Sequence, residues 1–249
     1  MSSAEKQTSP EVMSPTLDDS WASLYKLGGI SAVLSVIFSL VWAVTPMYLN
    51  SLPYNGTGFE YFLTFVWQQS TAYNLWYSGE FLTVVFAVPL VLALYFVLRR
   101  VDKGVALIGA STSILGGLVY LSNVGTHFDL VQDAVTYNGG CTVCAQQAVT
   151  GAIASNSASS SDSIAGYLVL AGVLILSLMM FKSRVTGKVP GSLGLVFAAY
   201  SVLSAAVFAP GSSTLYYDLS QLPVVFFGVW ALASGVKVYG AGSSKAHPQ

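Results

Sequence analysis

The sequence predicts an all-α, polytopic membrane protein, a six-transmembrane-helix bundle with both termini inside and two long extracytoplasmic loops. Three observations carry this. Of 249 residues, 54% are hydrophobic and only 8% are charged, against about 25% charged in soluble domains. Residues 81–98 and 105–124 are two apolar runs separated by the basic turn RRVDK at 99–103. All ten lysines and arginines fall on one side of a six-span arrangement.

The paired runs set the register. Eighteen residues at 81–98 rise about 1.5 Å each, giving about 27 Å of helix against a hydrocarbon core of about 30 Å. Backbone groups in lipid must be satisfied within their own segment, so both runs are expected to be helical. The short turn makes them antiparallel neighbours. Pro89 lies mid-span, where it removes a hydrogen bond and should kink the helix.

The tail at 1–20 is rich in Ser, Thr and Pro, includes four acids, and reads as disordered rather than as a signal peptide. Trp21 and Tyr25, beside Lys26, fit an interfacial belt. The transmembrane domain covers 21–239, with spans at 27–48, 79–98, 104–124, 164–181, 191–209 and 221–239. The long loops are 45–78 and 125–163, the second ending in a Ser-rich stretch at 156–163. Pro223 sits in the first turn of the last span, where its missing N–H costs nothing. Residues 240–249 form a polar cytoplasmic tail.

Lys6 and Lys26 precede the first span; Arg99, Arg100 and Lys103 separate the second and third; Lys182, Arg184 and Lys188 separate the fourth and fifth; Lys237 and Lys245 follow the sixth. The positive-inside rule then places both termini in the cytoplasm and the protein in the cytoplasmic membrane. Net charge is −1, which argues against a nucleic-acid partner. The bilayer is the expected partner.

Small residues recur every four positions at Ser31, Ser35, Ser39 and Ala43, and again at Gly109, Ser113 and Gly117. Such ridges let helix backbones approach closely. They serve either as seams inside one bundle, the reading we favour, or as faces for a homo- or hetero-oligomer.

Chemistry-bearing residues are few. Cys141 and Cys144 form a C-x-x-C pair in the second long loop. An extracytoplasmic pair reads as a structural disulfide. As a redox-active pair, Cys141 would be the nucleophile and Cys144 the resolver. Zinc needs four ligands and finds only His127 nearby, so no metal site is expected. Glu80, His127 and Asp129 stand near the predicted outer ends of spans two and three, with Asp133 beyond, where a carboxylate–histidine cluster binds a cation or relays protons. Seven aromatics, among them Trp67 and Trp76, crowd residues 61–77. They read as an interfacial helix, or as a lid over a lipid or quinone pocket. Asn55-Gly-Thr57 is a glycosylation sequon. No phosphate-binding Gly loop, zinc-protease motif or serine-nucleophile motif occurs, so neither cofactor nor catalysis is expected.

The stretch ALYFVLRRVDKGVALI at 93–108 resembles a broad family of prokaryotic multi-span membrane proteins known only as a domain of unknown function. The later basic turn LMMFKSRVTGKVPGSLG at 178–194 and LPVVFFGVW at 222–230 are similar to that family as well. The resemblance covers most of residues 25–239. It implies the architecture and supplies no site residues.

The functional expectation is a non-enzymatic membrane protein that binds a small ligand, lipid or partner, or serves as an accessory subunit. The alternative is an extracytoplasmic thiol–disulfide oxidoreductase using Cys141 and Cys144. A further one is a transporter gated at Pro89.

Overall fold

The computed structural model describes residues 19–53, 58–140, 147–151, 159–207 and 222–243. Cys141, Cys144, Asn55, Thr57 and the two terminal tails lie outside them. The regular structure of the described residues is helical: α1 Ala22–Ser51, α2 Phe59–Gln68, α3 Ser70–Leu98, α4 Lys103–Asn138, α5 Ser159–Met180, α6 Lys188–Val207 and α7 Leu222–Ser243. A 3-10 turn, Asp19–Trp21, precedes α1.

Five of these helices are long and apolar enough to cross a membrane, and Lys188–Ser204 within α6 is apolar but shorter. The burial pattern is that of a membrane protein. Along α1, the large side chains Leu27, Ile30, Val33, Ile37, Leu40 and Val44 are 46–57% exposed. The small polar Ser31, Ser35 and Ser39 are buried. A soluble helix would reverse this, because water penalises exposed apolar surface and lipid does not. The chain is a multi-pass membrane protein.

The six long helices close into a ring in which α1 touches α3 and α7, and α3 through α7 follow in chain order. Neighbours run antiparallel. A Cβ on Gly28 would lie 3.2 Å from Pro89 O, while one on Gly79, at the other end of α3, would lie 2.9 Å from Trp42 N. The small-residue ridges form these seams. Ser35 Oγ donates to Thr83 O across the α1–α3 interface at 3.1 Å. Ser39 faces Gly228 of α7, and Gly109 faces Ile175 and Leu176 of α5.

Antiparallel order gathers Lys26, Arg99, Arg100, Lys103, Lys182, Arg184, Lys188 and Lys237 at one end of the ring. At that end Asp102 caps α4, accepting from Val105 N at 3.0 Å, an interaction that contributes about 1 kcal/mol. Trp21 stacks on Phe96 at 3.8 Å, and the Arg99 guanidinium lies 4.5 Å from the Phe96 ring centre. Tyr25, expected in an interfacial belt, is instead buried in the main core beside Leu94, Leu98 and Val238. That core fills the cation-bearing half of the ring.

The far half departs from the sequence expectation. The connection expected at 45–78 is mostly helix: α1 continues through Pro46 to Ser51, α2 follows, and α3 starts at Ser70 rather than 79. The loop expected from 125 is helical to Asn138, so α4 has 36 residues, about 54 Å at 1.5 Å each. The physical reason is a second apolar cluster. Leu130, Val131 and Ala134 of α4 pack with Leu63 and Val66 of α2, Tyr73 and Tyr77 of α3, and Leu49 of α1. Burial on one face holds these polar segments in helix where hydropathy alone does not. Helix α5 likewise starts at Ser159, inside the Ser-rich stretch. Pro89 does not interrupt α3.

Candidate functional site

Above the filled core, the ring is hollow. A cavity of about 430 Å³ is walled by all six long helices. Trp42 comes from α1, Thr83, Val84, Ala87, Val88 and Val91 from α3, and Ser113, Ile114, Gly117 and Tyr120 from α4. Val169, Leu170 and Val173 come from α5, Phe197, Ser201 and Ser204 from α6, and Val224 and Phe227 from α7. The volume falls in the range of small-molecule sites, about 300–1,000 Å³.

Three of the hydroxyls in the wall are spent on their own helices. Thr83 Oγ1 donates to Gly79 O at 2.7 Å, Ser201 Oγ to Phe197 O at 2.8 Å and Ser204 Oγ to Ser201 O at 3.0 Å. Ser113 Oγ is buried against Gly172 of α5 and has no hydrogen-bond partner among the described residues. The cavity therefore presents methyl, methylene and ring surface. Such a lining suits an apolar occupant and leaves water few hydrogen bonds.

On the far side of the cavity sits the one carboxylate that is buried among the described residues, Glu80, 2% exposed. It shares a face of α3 with Thr83, Val84 and Ala87, at helical spacing of three, four and seven. Its Oε2 lies 3.5 Å from His127 Nδ1 on α4, and its Oε1 has no hydrogen-bond partner among the described residues. The sequence placed Glu80 at the outer end of the second span, just before its apolar run. The longer α3 instead carries it about ten residues into a helix and seals it against α4.

An aromatic stack continues outward. Tyr77 stacks on His127 with ring centres 5.0 Å apart, Trp76 stacks on Tyr77 at 5.2 Å, and Phe128 meets Tyr77 edge-on at 5.9 Å. Trp76 also borders a smaller hollow of about 260 Å³ with Pro46, Phe62, Phe65 and Tyr73.

The predicted site residues thus divide. Glu80, His127 and Trp76 come together. Asp129 is exposed, because two residues along a helix rotate it by about 200° from His127. Trp67, on α2, is 44% exposed and does not join the stack. Cys141 and Cys144 lie outside the described residues. No group of three or more His, Cys, Asp or Glu able to hold a metal ion occurs among the described residues. The cavity wall was missed in the sequence. Its signal is the small or hydroxyl residues Ala87, Gly117, Ser201 and Ser204 at facing mid-helix positions.

No curated protein and no solved structure matches this chain. A family model does, over residues 30–236, from the first turns of α1 into the second half of α7. The match covers most of the chain and all six helices that wall the cavity, so the chain belongs to the family described as Domain of unknown function (DUF4386).

Proposed function

We propose that this protein is a non-enzymatic, six-span protein of the cytoplasmic membrane that holds an apolar small molecule in its interhelical cavity. The observation that carries this reading is the cavity itself, walled by all six long helices and lined mainly by apolar side chains, with the Thr83, Ser201 and Ser204 hydroxyls spent on their own helices. Residues 21–239 form the transmembrane domain, and the cation-bearing end faces the cytoplasm with both termini. The positive-inside rule supports this, since the eight described cations share that end. The cavity then opens toward the outer leaflet. Glu80 and His127, backed by Trp76, form a polar cluster in the α3–α4 seam, about one helical turn outward of the lining residue Thr83. Asp129 and Trp67 lie on the outer surface, available to a partner rather than to the cavity ligand.

Two measurements test this. Orientation is read by replacing the native cysteines with serine and placing single cysteines at Gln68 and Lys182, both exposed and at opposite ends. A membrane-impermeant maleimide added to intact cells is expected to label position 68 and not 182; the reverse would invert the topology. Occupancy is read with an apolar fluorescent dye, diphenylhexatriene, on the purified chain in detergent, as binding above that of protein-free micelles. Ala87→Phe, which puts a ring into the cavity from its α3 wall, is expected to cut saturable dye binding at least fivefold. Unchanged binding would remove the cavity from the reading.

A further inference from the structure

Three cavity-lining residues are also exposed: Ser163, Gly166 and Tyr167, all in the first turns of the membrane-crossing part of α5. The remaining lining residues with described burial are buried or half-buried. Among the described residues, the cavity thus opens at one place, beside the far end of α5. Helices α5 and α6 are drawn together at the opposite, cation-bearing end, where a Cβ on Gly191 would lie 3.0 Å from Ser177 O and 3.1 Å from the Phe181 ring. At the far end both helices supply wall to the cavity instead, Ser163, Gly166 and Tyr167 from one and Ser201 and Ser204 from the other.

What stands in front of this opening follows from α5. Ile164 and Tyr167 are 59% and 56% exposed, and Leu178 on the same side is 52% exposed. Ala165, Val173 and Leu176 are buried on the other side. The exposed row is the face that a membrane helix turns to lipid. Tyr167 belongs to this row and to the cavity wall at once, so the opening gives onto the bilayer. Gly166 sits at its edge with open space in front: a Cβ there would meet nothing within 4 Å.

We propose that the opening is a lateral portal through which one acyl chain of a membrane lipid enters the cavity. This rests on the cavity being a binding site, and it names the ligand class. A largely apolar void offers water few hydrogen bonds, whereas an acyl chain matches the Val, Ile, Leu and Phe side chains that make up much of its wall. The Tyr167 phenol stands at the rim, where it reaches ester oxygens near the lipid glycerol, as tyrosines do at membrane interfaces.

The full-length protein is reconstituted in nanodiscs of phosphatidylcholine carrying a diazirine on one acyl chain. After irradiation, adducts are mapped by peptide mass spectrometry. Adducts are expected at Val173, Phe197 and Phe227, inside the cavity, as well as at lipid-facing Leu203 and Val236. Gly166→Trp is expected to reduce the inner adducts at least fivefold and leave the outer ones unchanged. A Cβ at Gly166 meets nothing within 4 Å, and the unchanged outer adducts verify that the variant keeps the fold. Undiminished inner adducts in the variant would overturn the portal. Absence of inner adducts in the unaltered protein, with dye binding still sensitive to Ala87→Phe, would overturn the lipid while leaving the cavity a binding site for another molecule. Loss of both signals would sink the two readings together.

Discussion

Replacing His127 by leucine is expected to destabilise the protein by about 3 kcal/mol, and replacing Glu80 by leucine in the same chain to restore most of it. The energetics are asymmetric. Glu80 is 2% exposed, and the imidazole Nδ1 is 3.5 Å from its Oε2. Removing the imidazole leaves a carboxylate in a low-dielectric seam with one fewer partner, which is costlier than the pair itself is stabilising. Removing both polar groups converts the seam to an apolar one that packs with Tyr77 and Phe128. Thermal unfolding in detergent, followed by tryptophan fluorescence, gives the four corners of the double-mutant cycle. Additive losses at the two positions would mean that the two side chains do not act as a unit.

The second large effect is steric. Gly172 of α5 lies against α4, where a Cβ would be 2.6 Å from Ser113 N and 2.7 Å from Gly109 O. The obstructing atoms are backbone, so no rotamer change relieves the clash. Gly172→Leu is expected to cost about 3 kcal/mol or more, the upper end of overpacking, by forcing the two helices apart. At roughly 2–4 °C per kcal/mol, the melting transition should fall by about 6–12 °C. Gly166→Leu, six residues earlier on the same helix, is expected to melt within about 2 °C of the unaltered protein. Equal losses at 166 and 172 would show that the cost is intrinsic to glycine replacement in α5 and not to its packing on α4.

How legible this architecture was in the sequence depended on which force shapes each segment. Residues 81–98 and the basic turn at 99–103 are specified by hydropathy and charge, and the helix ends there match closely. The first turns of α3 and the last of α4 are specified by packing on one another and on α2. Their sequences, TAYNLWYSG at 71–79 and THFDLVQDAVTYN at 126–138, are polar enough to read as loop. A helical signal was present in the second, since Leu130, Val131 and Ala134 share one face. Glu80 and His127 could be paired from the sequence because they flank one hairpin. That Asp129 turns away became plain only once residues 126–138 were helical. The cavity was illegible for a different reason: Val84, Phe197 and Phe227 are ordinary residues for a membrane helix, and only their convergence from three helices makes a wall.

The length of α4 has a mechanical consequence. One unbroken helix carries the capped turn at Asp102, the cavity wall at Gly117, the imidazole of His127 and the apolar cluster at Leu130. It acts as a lever. From Gly117 to Asn138 is about 31 Å, so a tilt of about 5° at the cavity swings the far tip by about 3 Å, from a rise of about 1.5 Å per residue. The helices resting on that tip, α2 and the start of α3, would be carried along. A tilt of α4 at the cavity would thereby be readable at the surface as a displacement, without any loop needing to reorder.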